Sequence, residues 1–385
     1  MLQSAIEAEV AAYIEAHQGL RDESGHRLVV RNGYQHERII QSGAGPLPVK
    51  KPRVNDRREG ERFTSSLLPP YLRRSPTIDA LIPVLYLKGV STGDFSEALA
   101  AILGEGAGNL SAATITRLKE QWMDEYRDWN QRSLKGKHYV YLWADGIYFN
   151  VRLSTDRPCM LVLMGATAEG KKELIGLIDG ERESTLSWKE LLLDLKRRGL
   201  EHVPKVAVGD GALGFWKALE EVYPGVRHQR CWVHKTANVL DKLPKKLQPQ
   251  AKSLIHQMYQ AATKKDALAV YVQFMSLYGD KYSKACQCLE KDKEVLFTFY
   301  DFPAAHWIHL RTTNPIESTF ATVRHRTRQT KGCGSRDATL MMVYKLAREA
   351  EKRWRKLNGS QQIVKLLTGV RFIDGEPENE SRLAA

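Results

Sequence analysis

Tyr139-Val-Tyr-Leu-Trp-Ala-Asp145 is a run of six apolar and aromatic residues that ends on a carboxylate. Such a run is the signature of a strand buried on both faces. Reading outward from it, the spacing predicts a first strand over Tyr139–Asp145, extendable to Arg152. A second strand is expected at Met160–Thr167, a third at Glu173–Ile178, and then a helix at Thr185–Arg198. A buried strand at Lys205–Val208, a helix at Leu213–Val222 and a short strand at Val226–Cys231 complete the series. The order βββαβαβ is that of a ribonuclease-H-like mixed sheet. In that order the first and fourth strands lie side by side and parallel. Asp145 then neighbours Asp210, which sits in Gly209-Asp-Gly211 just after the fourth strand.

A third acid, Glu317, lies in Thr312-Thr-Asn-Pro-Ile-Glu-Ser318, where a helix should begin. Two acids at strand ends and one on a later helix suit a pair of Mg²⁺ ions about 4 Å apart, the arrangement that serves in-line phosphoryl displacement. Each acid alone has an ordinary reading. Asp145-Gly146 fits a hairpin turn, and Asp210 fits a cap on the helix that follows. Asn314, Pro315 and Glu317 fit the N-cap, N1 and N3 positions of a capping box. Taken together, in this order on these elements, they favour the metal reading.

The chain has 385 residues, enough for two or three domains, and no apolar run approaches the ~20 residues of a membrane span. Met1–Val10 carries two glutamates and no basic segment, so a signal peptide is not expected. Five scattered cysteines argue against a disulfide framework and for a reducing cytoplasm, with the nucleoid as the expected site of action. The net charge is +13, and it is uneven. Arg324 to Lys356 holds eleven Lys and Arg against three Asp and Glu, and Lys50, Lys51, Arg53, Arg57 and Arg58 form a second cluster. Clustered cations of this kind neutralise phosphates, so a nucleic acid is the expected partner rather than a merely solvated face.

The pattern divides the chain into an N-terminal helix and basic arm (1–74) and a helical, helix-turn-helix-like DNA-binding segment (75–135). A first part of the catalytic core (136–240) is followed by an all-helical insertion (241–309). The second part of the core with basic helices (310–357) precedes a polar tail (358–385) whose composition predicts poor order.

Several motifs together resemble the Mutator-type DDE transposases of bacterial insertion sequences over nearly the whole chain. They are Trp143-Ala-Asp-Gly146, Gly209-Asp-Gly-Ala-Leu-Gly-Phe-Trp216, Gln229-Arg-Cys-Trp-Val-His-Lys235 and Arg311-Thr-Thr-Asn-Pro-Ile-Glu-Ser318. Leu67-Leu-Pro-Pro-Tyr-Leu-Arg-Arg-Ser75 and Gly89-Val-Ser-Thr92 add to them. The resemblance implies that Asp145, Asp210 and Glu317 are the metal-binding triad, with two Mg²⁺ ions as cofactor and Mn²⁺ as a substitute. It implies hydrolysis at an element end to expose a 3′-hydroxyl, then direct attack of that hydroxyl on target DNA. Holding two terminal inverted repeats implies a homodimer or larger assembly. The long interval between Asp210 and Glu317 matches the helical insertion of that family.

Cys231-x-x-His234 also matches the family pattern, and by spacing it is half a zinc site. His306-x-x-His309 is the candidate second half and Cys286-x-Cys288 a poorer one. A buried Cys231 and a His234 hydrogen-bonded to a neighbouring carboxylate or backbone group is the preferred reading, with structural zinc not expected. Arg324 follows Glu317 by two helical turns and is expected on the same face, holding a phosphate near the metals. Arg311, Arg326, Arg328 and Lys331 are the other expected DNA contacts. Trp307 is expected to pack in the core. The rival functions are a structure-selective nuclease on the same fold and a DNA-binding protein without catalysis; strand-transfer products separate the first from a transposase.

Overall fold

The computed structural model describes residues 1–42, 45–90, 94–103, 112–149, 159–180, 182–211, 213–329 and 335–378. The chain divides into two compact units, Met1–Leu118 and Lys119–Ala385.

The first unit opens with helix α1 (Leu2–Ala16), followed by strands β1 (Val29–Tyr34), β2 (Arg38–Ser42), β3 (Gly45–Val49) and β4 (Pro52–Asp56). β1 pairs antiparallel with β4, and β2 with β3. Ile6, Ile40, Val49 and Leu68 form a small core there. Among the basic residues, Arg58 is engaged: its guanidinium binds the carboxylate of Asp56 at 2.7 Å, and Tyr13 donates to the same carboxylate. The helices α2 (Pro76–Lys88) and α3 (Phe95–Leu103) follow, and the boundary between units falls inside α4 (Ala112–Gln131). Part of the Gly89–Thr92 motif and residues 104–111 before α4 lie outside the described residues.

In the second unit the order seen in the sequence is realised. β5 (Tyr139–Tyr148), β6 (Cys159–Thr167) and β7 (Lys172–Gly180) are followed by α5 (Thr185–Arg197), β8 (Val206–Gly209), α6 (Leu213–Val222) and β9 (Arg227–Arg230). They form one five-stranded mixed sheet in the order β7-β6-β5-β8-β9. β5 pairs antiparallel with β6 and parallel with β8, in the register Tyr141↔Val206 to Trp143↔Val208. β5 runs straight through Asp145-Gly146 against Val162 and Leu161, so that pair is strand and not a hairpin turn.

Alternation along β5 gives the sheet two apolar faces. Leu142 and Ala144 pack with Leu161, Leu163 and Ala207 under Trp188, Leu191 and Leu195 of α5 and Phe215 and Leu219 of α6. On the other face, Tyr141 meets His306, and the Trp143 indole donates to the His309 carbonyl. The end of α4 belongs with this unit, since the Tyr126 hydroxyl donates to the Leu177 carbonyl on β7. α5 starts at Ser184, whose hydroxyl accepts from the Ser187 amide. Ser184→Ala should cost about 1 kcal/mol, the usual worth of such a cap, read as a lower denaturant midpoint at unchanged slope.

After α7 (Trp232–Leu240) the chain enters helical layers: α8 (Gln248–Gln260), α9 (Lys264–Tyr278), α10 (Ser283–Glu290), the single-turn α11 (Lys293–Leu296) and α12 (Trp307–Leu310). Within the expected all-helical insertion the helical course is broken between α10 and α11, and 3₁₀ turns at Thr298–Asp301 and Ala304–His306 carry the chain back to the sheet. α13 (Asn314–Gln329) and α14 (Arg336–Glu351) follow. The segment beyond 357, expected to be a poorly ordered tail, is built into the fold as far as residue 378. It forms a 3₁₀ turn, α15 (Ile363–Leu367) and a small hairpin of β10 (Phe372–Ile373) and β11 (Glu376–Pro377). Ile363, Leu366 and Phe372 are buried, Gly375 exchanges backbone hydrogen bonds with Ala304 and Tyr300, and Asp374 caps the Lys264 amide. Three apolar side chains and a few caps supply order that the mean composition hides.

Candidate active site

Asp145 lies within β5, two residues beyond its last pairing with β8 at Trp143, and Asp210 is the residue after β8. Because these two strands are parallel neighbours, both acids emerge at the same end of the sheet. A third acid joins them that the sequence reading did not single out. Carboxylate oxygens of Asp145, Asp210 and Glu183 all lie within 4.8 Å of one another. Glu183 directly precedes the N-cap of α5, where an acid ordinarily signals only a favourable helix dipole.

Glu317 stands beside this group in a second cluster. A carboxylate oxygen of Glu317, a ring nitrogen of His234 and the Cys231 sulfur lie within 4.8 Å of one another. Cys231 follows β9 and is buried. Its amide donates to the Gly209 carbonyl, and its sulfur accepts from the Thr313 amide and hydroxyl at 3.3 Å each. Thr313 Oγ1 is also 2.5 Å from Glu317 Oε1, and His234 Nδ1 is 3.8 Å from the same oxygen. The capping-box reading of Glu317 does not hold. The Thr313 carbonyl accepts from both the Ile316 and Glu317 amides, so the turn closes one residue earlier than an Asn314 cap requires.

The electrostatics follow from crowding like charges in a partly dry site. Burial, and then Asp210 and Glu317, push the Asp145 carboxyl up to about 7, against the pull of His234. Burial, and then Asp210 and Asp145, push Glu183 up to about 7 as well. The Cys231 sulfur in the first place, with Glu317 and Asp145, raises the His234 imidazole to about 9 in spite of its burial. Three converging carboxylates form an all-oxygen donor set of the hard kind that Mg²⁺ and Mn²⁺ prefer. A divalent cation among them would relieve the repulsion that holds two of these acids near neutrality.

The backbone of Asp210 is held from both sides. Its carbonyl accepts from Trp216 Nε1 at 2.9 Å and from Arg230 Nη1 at 2.6 Å. The Arg230 guanidinium lies over the Trp216 ring and pairs with Asp292, which lies between α10 and α11 and also pairs with Lys235.

The remaining expected residues are spread over several settings. His306 is fully buried, with one ring nitrogen at the Tyr141 hydroxyl and the other at the Gly359 carbonyl, and His309 takes the Asn358 amide. These three ring nitrogens are committed to partners other than Cys231 and His234. The metal-competent clusters among the described residues are the two given above. Arg311 is half-buried with its guanidinium over Phe299 and Trp307, and Trp307 itself is core, donating to the Phe302 carbonyl. Arg324 is exposed on α13. Arg326 and Arg328 lie on the same helix, and Lys331 falls outside the described residues.

With this geometry in place, comparison with known proteins identifies the chain. The model of the family described as "Transposase, Mutator family" matches residues 1–357. The chain belongs to the Mutator family of transposases. It is 52% identical over 295 residues to the transposase for insertion sequence element IS6120 of Mycolicibacterium smegmatis, a match covering 77% of this chain and 91% of that one. It is 49% identical over 290 residues to the transposase for IST2 of Acidithiobacillus ferrooxidans, covering 74% and 96%. A chain of the simian T-cell lymphotropic virus intasome in complex with PP2A regulatory subunit B56 gamma aligns at 13% identity over 54% of this chain. Its TM-score is 0.18, too low to bear on the fold. As an insertion-sequence transposase this Mutator-family chain is a DNA-processing enzyme, and transposases of this kind act on DNA. No helix among the described residues is long and apolar enough to cross a membrane.

Proposed function

We propose that this transposase binds the terminal inverted repeats of its own element and carries out metal-dependent cleavage and strand transfer, with Asp145, Asp210 and Glu317 as its catalytic carboxylates. The observation that supports this reading is the approach of Asp210, just after β8, and Glu317, in the first turn of α13, to Asp145 on the neighbouring β5, close enough that both charges raise the Asp145 carboxyl. The mixed sheet has the strand order of a ribonuclease-H-like domain, which we take to be its fold.

When bound, a pair of Mg²⁺ ions supplies charge stabilisation to the attacking and leaving oxygens of an in-line displacement. The chain's own residues do the positioning. Asp145 presents its carboxylate from β5 and Asp210 from just beyond β8, and the Trp216–Arg230 clamp fixes the backbone of the second. Glu317 is aimed by Thr313 and faced by His234. In the first reaction a water oxygen forms a bond to phosphorus and the P–O3′ bond breaks, leaving a 3′-hydroxyl at the element end. In the second, that 3′ oxygen bonds to a target phosphorus and gives its proton to solvent, while the target's own 3′ oxygen leaves and takes up a proton from solvent. Neither needs a covalent protein–DNA bond.

Arg324, with Arg326, Arg328 and Lys331 beyond it, would follow the phosphates leading from the site, and the helical segment 75–135 would read the repeat. Two ends joined in one event require two copies of the chain. Thr313→Val removes the hydroxyl that aims Glu317 while keeping its shape, so strand transfer should drop about 10-fold, within the range for outer positioning groups, with the melting temperature nearly unchanged. The direct test uses purified protein, Mg²⁺ and labelled DNA carrying the element ends. Nicked and joined products support the proposal; nicking without joining indicates a nuclease, and tight binding without cleavage a DNA-binding protein.

A further inference from the structure

We propose that Glu183 is a fourth metal-ligating carboxylate of this site, binding a divalent cation together with Asp145 and Asp210. This rests on the two-metal reading above and extends it to a residue outside the triad.

Three features of the structure support it. First, the carboxylate of Glu183, and not that of Glu317, completes the group that lies within 4.8 Å around Asp145 and Asp210. Glu317 meets His234 and Cys231 instead. Second, the space that Glu183 occupies is left by glycines. A Cβ at Gly146 would overlap the Glu183 carboxylate itself, and a Cβ at Gly214 would overlap the Glu183 carbonyl and the backbone of Ser184 and Thr185. Gly146 lies outside the left-handed region, so its backbone does not require glycine. What any other side chain would disturb there is the seat of Glu183. Third, the cation that acts on Glu183 among the described residues, His234, is outweighed by the two acids whose carboxylates lie within 4.8 Å of it. No ion pair reaches it among the described residues, and the neighbours that act on it most are Asp210 and Asp145, both of the same sign. An acid held among acids, in a recess two glycines keep open, costs folding energy unless a cation is shared.

The acids then divide the work. Asp145, Asp210 and Glu183 grip one cation from the sheet and the start of α5. Glu317, on the opposite layer and backed by His234, is left to complete a second position with Asp145.

The test is Mn²⁺ binding to the full-length protein by calorimetry, without DNA, for wild type, Asp145→Asn, Glu183→Gln, Gly146→Ala, Glu183→Ala and the Glu183→Ala/Gly146→Ala double variant. Melting curves in chelator establish that each is folded. Glu183→Gln should weaken Mn²⁺ by at least ~10-fold, as Asp145→Asn does. Gly146→Ala should weaken it too, and should do nothing further once Glu183 is alanine. Melting in chelator supplies a second sign. Removing one of three like charges should leave Glu183→Gln as stable as wild type or more so, whereas a merely structural Glu183 would lose stability. Wild-type-like Mn²⁺ affinity in Glu183→Gln, with Asp145→Asn still impaired, overturns the role of Glu183 and leaves the two-metal site standing. An additive loss in the double variant overturns the link between Gly146 and Glu183. No Mn²⁺ binding by wild type at millimolar metal overturns the metal site itself and this inference with it. Should Glu183→Gln fail to fold, the comparison of Gly146→Ala with the double variant decides the matter alone.

Discussion

Asparagine at position 145 should leave the protein folded and able to bind its DNA ends, yet lower cleavage and joining by about 10³-fold. That factor is the several kcal/mol a bound cation gives to charge developing at phosphorus, converted at about 1.4 kcal/mol per tenfold. The substitution keeps the side-chain volume in a position only 9% exposed, so no cavity forms. It removes a negative charge from a place already crowded by Asp210, Glu183 and Glu317, so stability in chelator should not fall. Asp210→Asn and Glu317→Gln should behave alike in activity. Gel-shift binding to the ends, scored beside product formation from one preparation, checks all three. Full activity in any one of them would exclude that acid from catalysis.

Asp292→Ala should cost about 3–5 kcal/mol, because it strands two cations in a nearly dry setting. The Arg230 and Lys235 side chains are 9% and 7% exposed, and Asp292 is the carboxylate that pairs with both. For a unit of this size the melting temperature should fall by roughly 5–15 °C. Activity should fall further than the lost folded fraction explains, since Arg230 also holds the Asp210 carbonyl. Replacing Arg230, Lys235 and Asp292 together by apolar residues of similar volume should recover much of the stability and little of the activity. A loss of less than 1 kcal/mol for Asp292→Ala would mean that the pairings contribute little to the fold. The experiment therefore measures how far the helical layers, which supply Asp292, support an acid on the sheet.

Much of this site was legible in the chain because its signals are local. The run Tyr139–Asp145 can only be buried strand, the alternation of strands and helices after it fixes a mixed sheet, and the parallel pairing of β5 with β8 follows from the order. That alone places Asp145 beside Asp210. Single residues misled where composition stood in for contacts. The segment after 357 reads as a polar tail, yet Ile363, Leu366 and Phe372 anchor it. Asn314-Pro-Ile-Glu also fits a capping box, the alternative set aside above, and Thr313 closes the turn instead.

The sequence by itself determined the sheet, its strand order and the end at which the two aspartates emerge, because strand period and connection handedness are properties of short segments. Only the tertiary structure decided which acids converge. Glu183 reaches Asp145 across the space left by Gly146, and Glu317 turns to His234 and Cys231. Both choices depend on how α5 and α13 pack on opposite faces of one sheet, and side-chain distances across layers leave no periodic trace in the chain.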